Sequence, residues 1–143
     1  MVADTFLINS AAEMQALGRR IGERLKAGDV LVLNGELGSG KTTFTRGIGE
    51  ALGSTDVSSP TFVISKIYTG NIPLLHVDVY RLLGNELALF DDLDLESLIP
   101  RSVTVIEWGA TLVDRLAHEY VTVDISFGNT EHERTVKITG ALL

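Results

Sequence analysis

Eight residues in the first third of the chain have the types and spacing that bind phosphate groups. The segment Gly35-Glu36-Leu37-Gly38-Ser39-Gly40-Lys41-Thr42 fits the pattern G-x-x-x-x-G-K-[ST]. Its glycines allow successive backbone N–H groups to turn inward around an anion. In this pattern the lysine reaches the β- and γ-phosphates, and the threonine hydroxyl ligates Mg²⁺. The segment predicts binding of a nucleoside triphosphate, and the alternative is a glycine-rich turn with a solvated lysine.

The elements on either side of this segment are those that a phosphate loop requires. Residues 29–34 predict a short buried strand, because positions 30–33 are the apolar run Val-Leu-Val-Leu. Residues 41–52 carry Phe44, Ile48 and Leu52 at four-residue spacing, and Gly53 follows as a helix C-cap. The predicted order is strand, loop, helix, which aims the positive end of the helix dipole at the bound phosphates.

Two further predicted strands end in a carboxylate, Asp78 after residues 74–77 and Glu107 after residues 103–106. Hydrolysis needs an acid that holds magnesium or places a water, and open α/β sheets bind ligands at the carboxyl ends of their strands. We therefore interpret both carboxylates as parts of the site. The alternative is that each caps a neighbouring helix or pairs with an arginine such as Arg81.

Two other residues near these motifs have less specific signals. Thr61 follows the segment Ser58-Ser59-Pro60 and could belong to a switch whose hydroxyl or carbonyl lies near the γ-phosphate, or simply begin a strand. His76 is flanked by apolar residues, and we interpret it as structural.

The rest of the chain predicts a mixed α/β sheet. Ser10 and Glu13 form a capping box at the start of a helix that ends near Gly28, and the beginning of this helix could border the nucleotide base. The other predicted elements are a strand at 5–8, hairpins at 62–68 with 74–80 and at 120–127 with 135–139, short helices within 84–99, and a helix at 111–119.

Composition limits the class of protein. A chain of 143 residues is expected to form one domain, residues 1–143, that buries about two thirds of its unfolded surface. It contains no cysteine, which excludes disulfides, thiolate zinc sites and thiol catalysis. With no apolar run near the ~20 residues of a membrane span, we expect a soluble cytoplasmic protein that makes no membrane contact. The net charge of −7 argues against an extensive direct contact with nucleic acid.

Four motifs, in this order, resemble one known family. They are the phosphate loop continued through Thr43-Phe44, then Ser59-Pro60-Thr61-Phe62, then His76-Val77-Asp78-Val79-Tyr80-Arg81-Leu82, then Ile106-Glu107-Trp108. Together they are similar to the TsaE family, also called YjeE, from about Ser10 to Gly109. Residues 110–143 carry no motif of that family.

The resemblance implies a bacterial P-loop ATPase needed to make threonylcarbamoyladenosine beside the anticodon of tRNA. Its substrate would be ATP with Mg²⁺, and it would bind and reset a complex of TsaD and TsaB, with tRNA contacted only through that complex. The implied fold is a three-layer α/β P-loop NTPase fold, with a mostly parallel central sheet, antiparallel additions and helices on both faces.

The same resemblance assigns roles to the motif residues. Gly35 to Thr43 would hold the phosphates, with Thr42 and Glu107 on Mg²⁺. Asp78 would be required for hydrolysis, and Thr61 would belong to a switch-like loop. The hypothesis is in-line attack of water on the γ-phosphate, with Lys41 neutralising charge and Asp78 positioning or polarising the water.

Two other functions stay open at the level of sequence. A small-molecule kinase of the P-loop class usually has a mobile, arginine-bearing lid, whereas residues 110–140 contain Arg115 and Arg134 but predict a helix and a hairpin. The second function that stays open is a nucleotide-dependent binding module with incidental hydrolysis. A GTPase is not among them, because the guanine-reading sequence Asn-Lys-x-Asp is missing.

Overall fold

The computed structural model describes residues 2–54, 57, 65–78, 95–107 and 119–140. Within them, the strands are β1 (Val2–Ile8), β2 (Val30–Asn34), β3 (Ser65–Tyr68), β4 (Leu74–Asp78), β5 (Val103–Glu107), β6 (Val121–Phe127) and β7 (Arg134–Gly140). The helices are α1 (Ala11–Gly22), α2 (Lys41–Ala51) and α3 (Leu95–Leu98), the last followed by a 3₁₀ turn at Ile99–Arg101. No helix in this part of the chain has the length and apolar character needed to cross a membrane.

The described strands form one mixed sheet in the order β1-β7-β6-β2-β5-β4-β3. The four central strands, β6, β2, β5 and β4, are parallel to one another. The pairs β3 with β4, β6 with β7 and β7 with β1 are antiparallel. The predicted α/β class, with a parallel centre and antiparallel additions, is confirmed.

Three of the four central strands, β2, β4 and β5, are buried on both faces, whereas β6 alternates between buried residues and partly or fully exposed ones. β5 is buried along its whole length, and β2 and β4 are buried in all but their last residue. Strands buried on two faces are near-continuous apolar runs rather than alternating ones. Because these strands run parallel, the polar residues that end β2, β4 and β5 (Asn34, Asp78 and Glu107) meet at one edge of the sheet.

Helices α1 and α2 lie against each other, and glycines make their contact close. A Cβ atom added to Gly18 would lie 2.1 Å from the carbonyl oxygen of Phe44, and one added to Gly47 would lie 2.1 Å from that of Gln15. Side chains of both helices, Met14, Leu17, Phe44 and Ile48 among them, join the apolar core over β2, β5 and β6. This packing fixes where α2 begins relative to the sheet.

Two predicted boundaries differ from the structure. Helix α1 ends at Gly22 rather than near Gly28: buried Leu25 continues the apolar stripe, but its N–H already bonds the Gly22 carbonyl in a separate turn. Gly28, at φ +98°, instead turns the chain into β2 and donates its N–H to Ser102. Strand β1 is longer than the predicted 5–8 because it pairs along its whole length with β7.

The remaining predicted elements agree where they can be compared. Both antiparallel hairpins are present, as β3 with β4 and β6 with β7. The helix predicted at 111–119 lies outside the described residues except for residue 119, which is in a bend. Residues 62–64 and 79–80 of the first hairpin and residues 84–94 also lie outside the described residues.

Candidate nucleotide site

The loop between β2 and α2 has the backbone geometry that the phosphate-binding pattern requires. The Ser39 N–H donates to the Glu36 carbonyl at 3.0 Å, which closes a turn in the loop. Gly38 has φ +82° and Gly40 has φ +114°, in the left-handed region that favours glycine. The predicted order of strand, loop and helix is therefore confirmed, and two of the three glycines of the motif are required by the backbone.

The start of α2 is open to an anion. Its N-cap residue is Gly40, which supplies no side-chain cap, and its first turn contains no acidic residue. The first N–H groups of any α-helix lack partners within the helix, and the helix dipole makes this end positive. Leu37 and Glu36, at the tip of the loop, are exposed, while Ser39 is buried beneath it. The backbone N–H groups at this end of α2 suit a polyphosphate.

Lys41 and Glu107, separated by 66 positions in sequence, form a buried ion pair. The Lys41 Nζ atom lies 3.5 Å from Glu107 Oε1, and the side chains are only 10% and 7% exposed. The pair forms because Lys41 begins the helix that follows β2, and Leu33 of β2 lies beside Glu107 of β5 in register. The structure thus brings together the two charged residues that the sequence predicts for phosphate and for magnesium.

Glu107 is held as a carboxylate in this buried position. Burial acts to raise the pKa of Glu107, but the hydrogen bond with His76 and the attraction of His76 and Lys41 outweigh it, so the pKa lies below its ordinary value. An ionised carboxylate at the end of a central strand is a hard oxygen donor, and here it contacts Lys41 of the phosphate loop.

Asp78 lies directly beside Glu107, because the two residues are paired in register at the ends of β4 and β5. Its side chain is half-buried. The structure therefore places both predicted carboxylates at the edge of the sheet where the phosphate loop begins. Thr42 and Thr43, in the first turn of α2, are partly exposed at the same edge. Thr61, Arg81 and Trp108 lie outside the described residues.

The oxygen donors at this site suit a magnesium ion that is also bound by phosphates and waters, rather than a metal bound only by protein side chains. In the described part of the chain, no group of three or more His, Cys, Asp or Glu side chains could hold a metal. Mg²⁺ is usually bound by one or two protein oxygens together with substrate phosphates and waters. The Thr42 hydroxyl and the Glu107 carboxylate, both hard oxygen donors beside the loop, suit that mode of binding.

A pocket of about 170 Å³ adjoins the phosphate loop on the side of α1. Its walls come from the start of α1, the start of α2 and the β6–β7 turn, with Ser10, Ala11, Met14, Thr43, His132 and Arg134 beside the loop. The beginning of α1 therefore borders the phosphate loop. Its contact with the nucleotide base stays a prediction.

Two residues of the site were missed from sequence. Arg134 of β7 supports the loop, since its Nε atom donates to the Ser39 carbonyl at 3.2 Å and its guanidinium stacks on Phe127 at 4.7 Å. His76, interpreted as merely structural, contacts Glu107. A signal for His76 was present, because a residue two positions before Asp78 on a strand shares its face of the sheet.

Comparisons with known proteins agree with this geometry. A family model described as "Threonylcarbamoyl adenosine biosynthesis protein TsaE" matches residues 8–136. The chain is similar to a tRNA threonylcarbamoyladenosine biosynthesis protein TsaE of Streptomyces coelicolor, 46% identical over 134 residues that cover 89% of this chain and 90% of the relative. The Bacillus subtilis protein of the same name is 39% identical over 132 residues, covering 90% and 81%.

Among solved structures, the crystal structure of Bacillus subtilis YdiB has a TM-score of 0.77 to this chain at 34% identity. The match covers 97% of this chain and 86% of YdiB. The motifs, the fold and the sequence similarity along most of the chain lead to one conclusion: this chain belongs to the TsaE family.

Proposed function

We propose that this chain, as a single ATPase domain, is a Mg²⁺-dependent ATPase that serves the threonylcarbamoyladenosine modification of tRNA by binding and cycling a complex of TsaD and TsaB. The observation that carries the proposal is the buried pair of Lys41 and Glu107 at the start of the phosphate-loop helix. The pathway is supported by relatives named as tRNA threonylcarbamoyladenosine biosynthesis proteins.

The phosphate loop accounts for binding of the substrate. Backbone N–H groups of residues 35–43 and the Lys41 ammonium neutralise the negative charge that ATP carries. Glu107 balances the buried ammonium at 3.5 Å, which holds Lys41 at the loop. Preorganised charge of this kind needs little rearrangement at the moment of reaction.

The residues at the strand ends account for hydrolysis. Thr42 and Glu107 would hold Mg²⁺, which when bound neutralises charge that develops on the phosphate oxygens. Asp78, beside Glu107 in register, positions or polarises the attacking water. Thr61 supplies the switch-like loop in this proposal.

The charge of the chain favours a protein complex as its partner. A net charge of −7 is unsuited to a direct grip on the tRNA backbone. Action on TsaD and TsaB would give this protein an effect on tRNA without extensive tRNA contacts. Slow hydrolysis by the chain alone, stimulated by the complex, is the behaviour that this arrangement predicts.

Titration with a fluorescent ATP analogue, followed by measurement of phosphate release, tests the proposal. Lys41→Ala is expected to abolish productive binding, whereas Asp78→Ala is expected to bind normally and to lose turnover. Lys66→Ala removes an exposed lysine of β3 and is the matched control. Binding that survives in Lys41→Ala would contradict the phosphate-loop assignment, and normal turnover in Asp78→Ala would remove Asp78 from the mechanism.

A further inference from the structure

His76 is a completely buried polar side chain in the centre of the sheet. It lies on β4 with 0% of its surface exposed, and its Nε2 atom is 2.6 Å from Glu107 Oε2. The ring's other nitrogen, Nδ1, has no hydrogen-bond partner among the described residues. The bond to Glu107 is therefore the polar contact that accounts for a histidine at this position.

The chemistry of the two groups assigns the direction of this hydrogen bond. Carboxylate oxygens accept and a histidine ring nitrogen can donate, so we assign the hydrogen to His76 Nε2. A distance of 2.6 Å is at the short end for a bond to a charged acceptor, which is the stronger kind. His76 thus donates to the Glu107 oxygen other than the one that contacts Lys41.

The two oxygens of Glu107 have separate partners. Oε2 accepts from His76 at 2.6 Å, and Oε1 faces the Lys41 ammonium at 3.5 Å. With one oxygen held by a ring that is packed in the core, the carboxylate cannot rotate freely about its last bond. The second oxygen is consequently presented to the phosphate loop.

We propose that His76 is a positioning residue for Glu107: its Nε2–H holds one carboxylate oxygen so that the other faces the Lys41 ammonium at the phosphate loop. The inference rests on the proposed function, in which Glu107 and Thr42 hold Mg²⁺. Groups that orient a metal-binding side chain typically change metal affinity about 10- to 100-fold when they are removed.

A magnesium titration at a fixed concentration of fluorescent ADP tests the inference. His76→Leu is expected to raise the Mg²⁺ concentration for half-maximal response about 10- to 100-fold, while ADP affinity without Mg²⁺ stays within about twofold of wild type. His76→Gln, whose amide N–H can occupy the place of Nε2–H, is expected to recover most of the loss. A folded His76→Leu protein with wild-type magnesium dependence would overturn the inference.

Val105→Ala is the matched control for a purely structural effect. Val105 is the register partner of His76 on β5 and is completely buried, but it donates nothing to Glu107. Its truncation is expected to lower the midpoint of urea unfolding and to leave the magnesium dependence unchanged. If Val105→Ala shifted the magnesium dependence as much as His76→Leu, general loosening of the sheet would replace the positioning role.

Nuclear magnetic resonance of the wild-type protein gives a test that does not depend on the folding of a His76 variant. With ¹⁵N-labelled histidine, a hydrogen-bonded Nε2–H signal is expected for His76 and is expected to move in Glu107→Gln. A ring that carries its hydrogen on Nδ1 alone would overturn the inference. This readout needs no nucleotide, so it judges the His76 contact even if wild-type protein shows no magnesium-dependent nucleotide binding, a result that would refute the proposed function instead.

Discussion

Replacing Gly47 by alanine should destabilise the protein through the contact between α1 and α2. The added Cβ would lie 2.1 Å from the Gln15 carbonyl oxygen and 2.7 Å from the Arg19 nitrogen, although real Cβ atoms essentially never approach below 3.0 Å. Both neighbours are backbone atoms, so no side-chain rotation relieves the clash and the helices must separate. The perturbation therefore reaches α2, which carries Lys41 at its first turn.

The expected magnitude combines two opposing effects. Overpacking a core costs about 1–3 kcal/mol, and a backbone clash belongs at about the upper end of that range. Alanine is about 1 kcal/mol better than glycine inside a helix, which leaves a net loss of about 2 kcal/mol. For a chain of this length, such a loss lowers the melting temperature by about 6 °C.

Urea unfolding followed by circular dichroism measures this loss. Gly47→Ala is expected to lower the midpoint without changing the slope. Gly22→Ala should lose less, because its nearest neighbour is the Ala51 Cβ atom at 2.8 Å, and exposed Arg20→Ala should stay within about 0.5 kcal/mol of wild type. A Gly47→Ala protein as stable as wild type would refute the close packing of these helices.

Three further predictions concern the site itself. The pKa of Glu107 is lowered in the folded state, so its ionisation stabilises the fold above the ordinary pKa of 4.5, and this stabilisation is lost as pH falls through the folded pKa. The difference in unfolding free energy between wild type and Glu107→Gln should therefore shrink below pH 4.5. A difference that stays constant with pH would contradict the lowered pKa. Arg134→Ala should speed hydrogen exchange of the loop amides at 35–40, because the Ser39 carbonyl loses a donor, and unchanged exchange would remove Arg134 as a support. Gly38→Ala should lower the unfolding free energy by about 1–2 kcal/mol. Backbone strain alone accounts for this loss, because nothing lies within 4 Å of the added Cβ. Gly38→Asn should lose less, and equal losses in the two variants would count against the left-handed conformation.

The phosphate loop and the carboxylates could be predicted from sequence because their constraints are local. Gly38 and Gly40 occupy positive-φ positions, and a lysine directly after them begins a helix whose apolar spacing is visible over three turns. Asp78 and Glu107 each end an apolar run, and parallel strands bring such ends to one edge. These features depend on residues that are neighbours in the chain or on a rule of sheet topology.

The parts that could not be predicted depend on distant contacts. Arg134 reaches the loop across 95 positions, a pairing without a sequence period. β1 exceeds its predicted length because of β7, which lies at the other end of the described chain. The end of α1 was misplaced because Leu25 continues the apolar stripe beyond the helix, while the turn at Gly28 is fixed by a hydrogen bond to Ser102.

The most direct test of the central claim is the rate of phosphate release from ATP and Mg²⁺ by the purified chain, measured alone and with a TsaD–TsaB complex and tRNA. The account predicts slow release by the chain alone, a clear increase when the complex is added, and loss of both rates in Lys41→Ala. A chain whose rate is unchanged by the complex, and which does not bind it, would contradict the claim that this protein acts by cycling that partner.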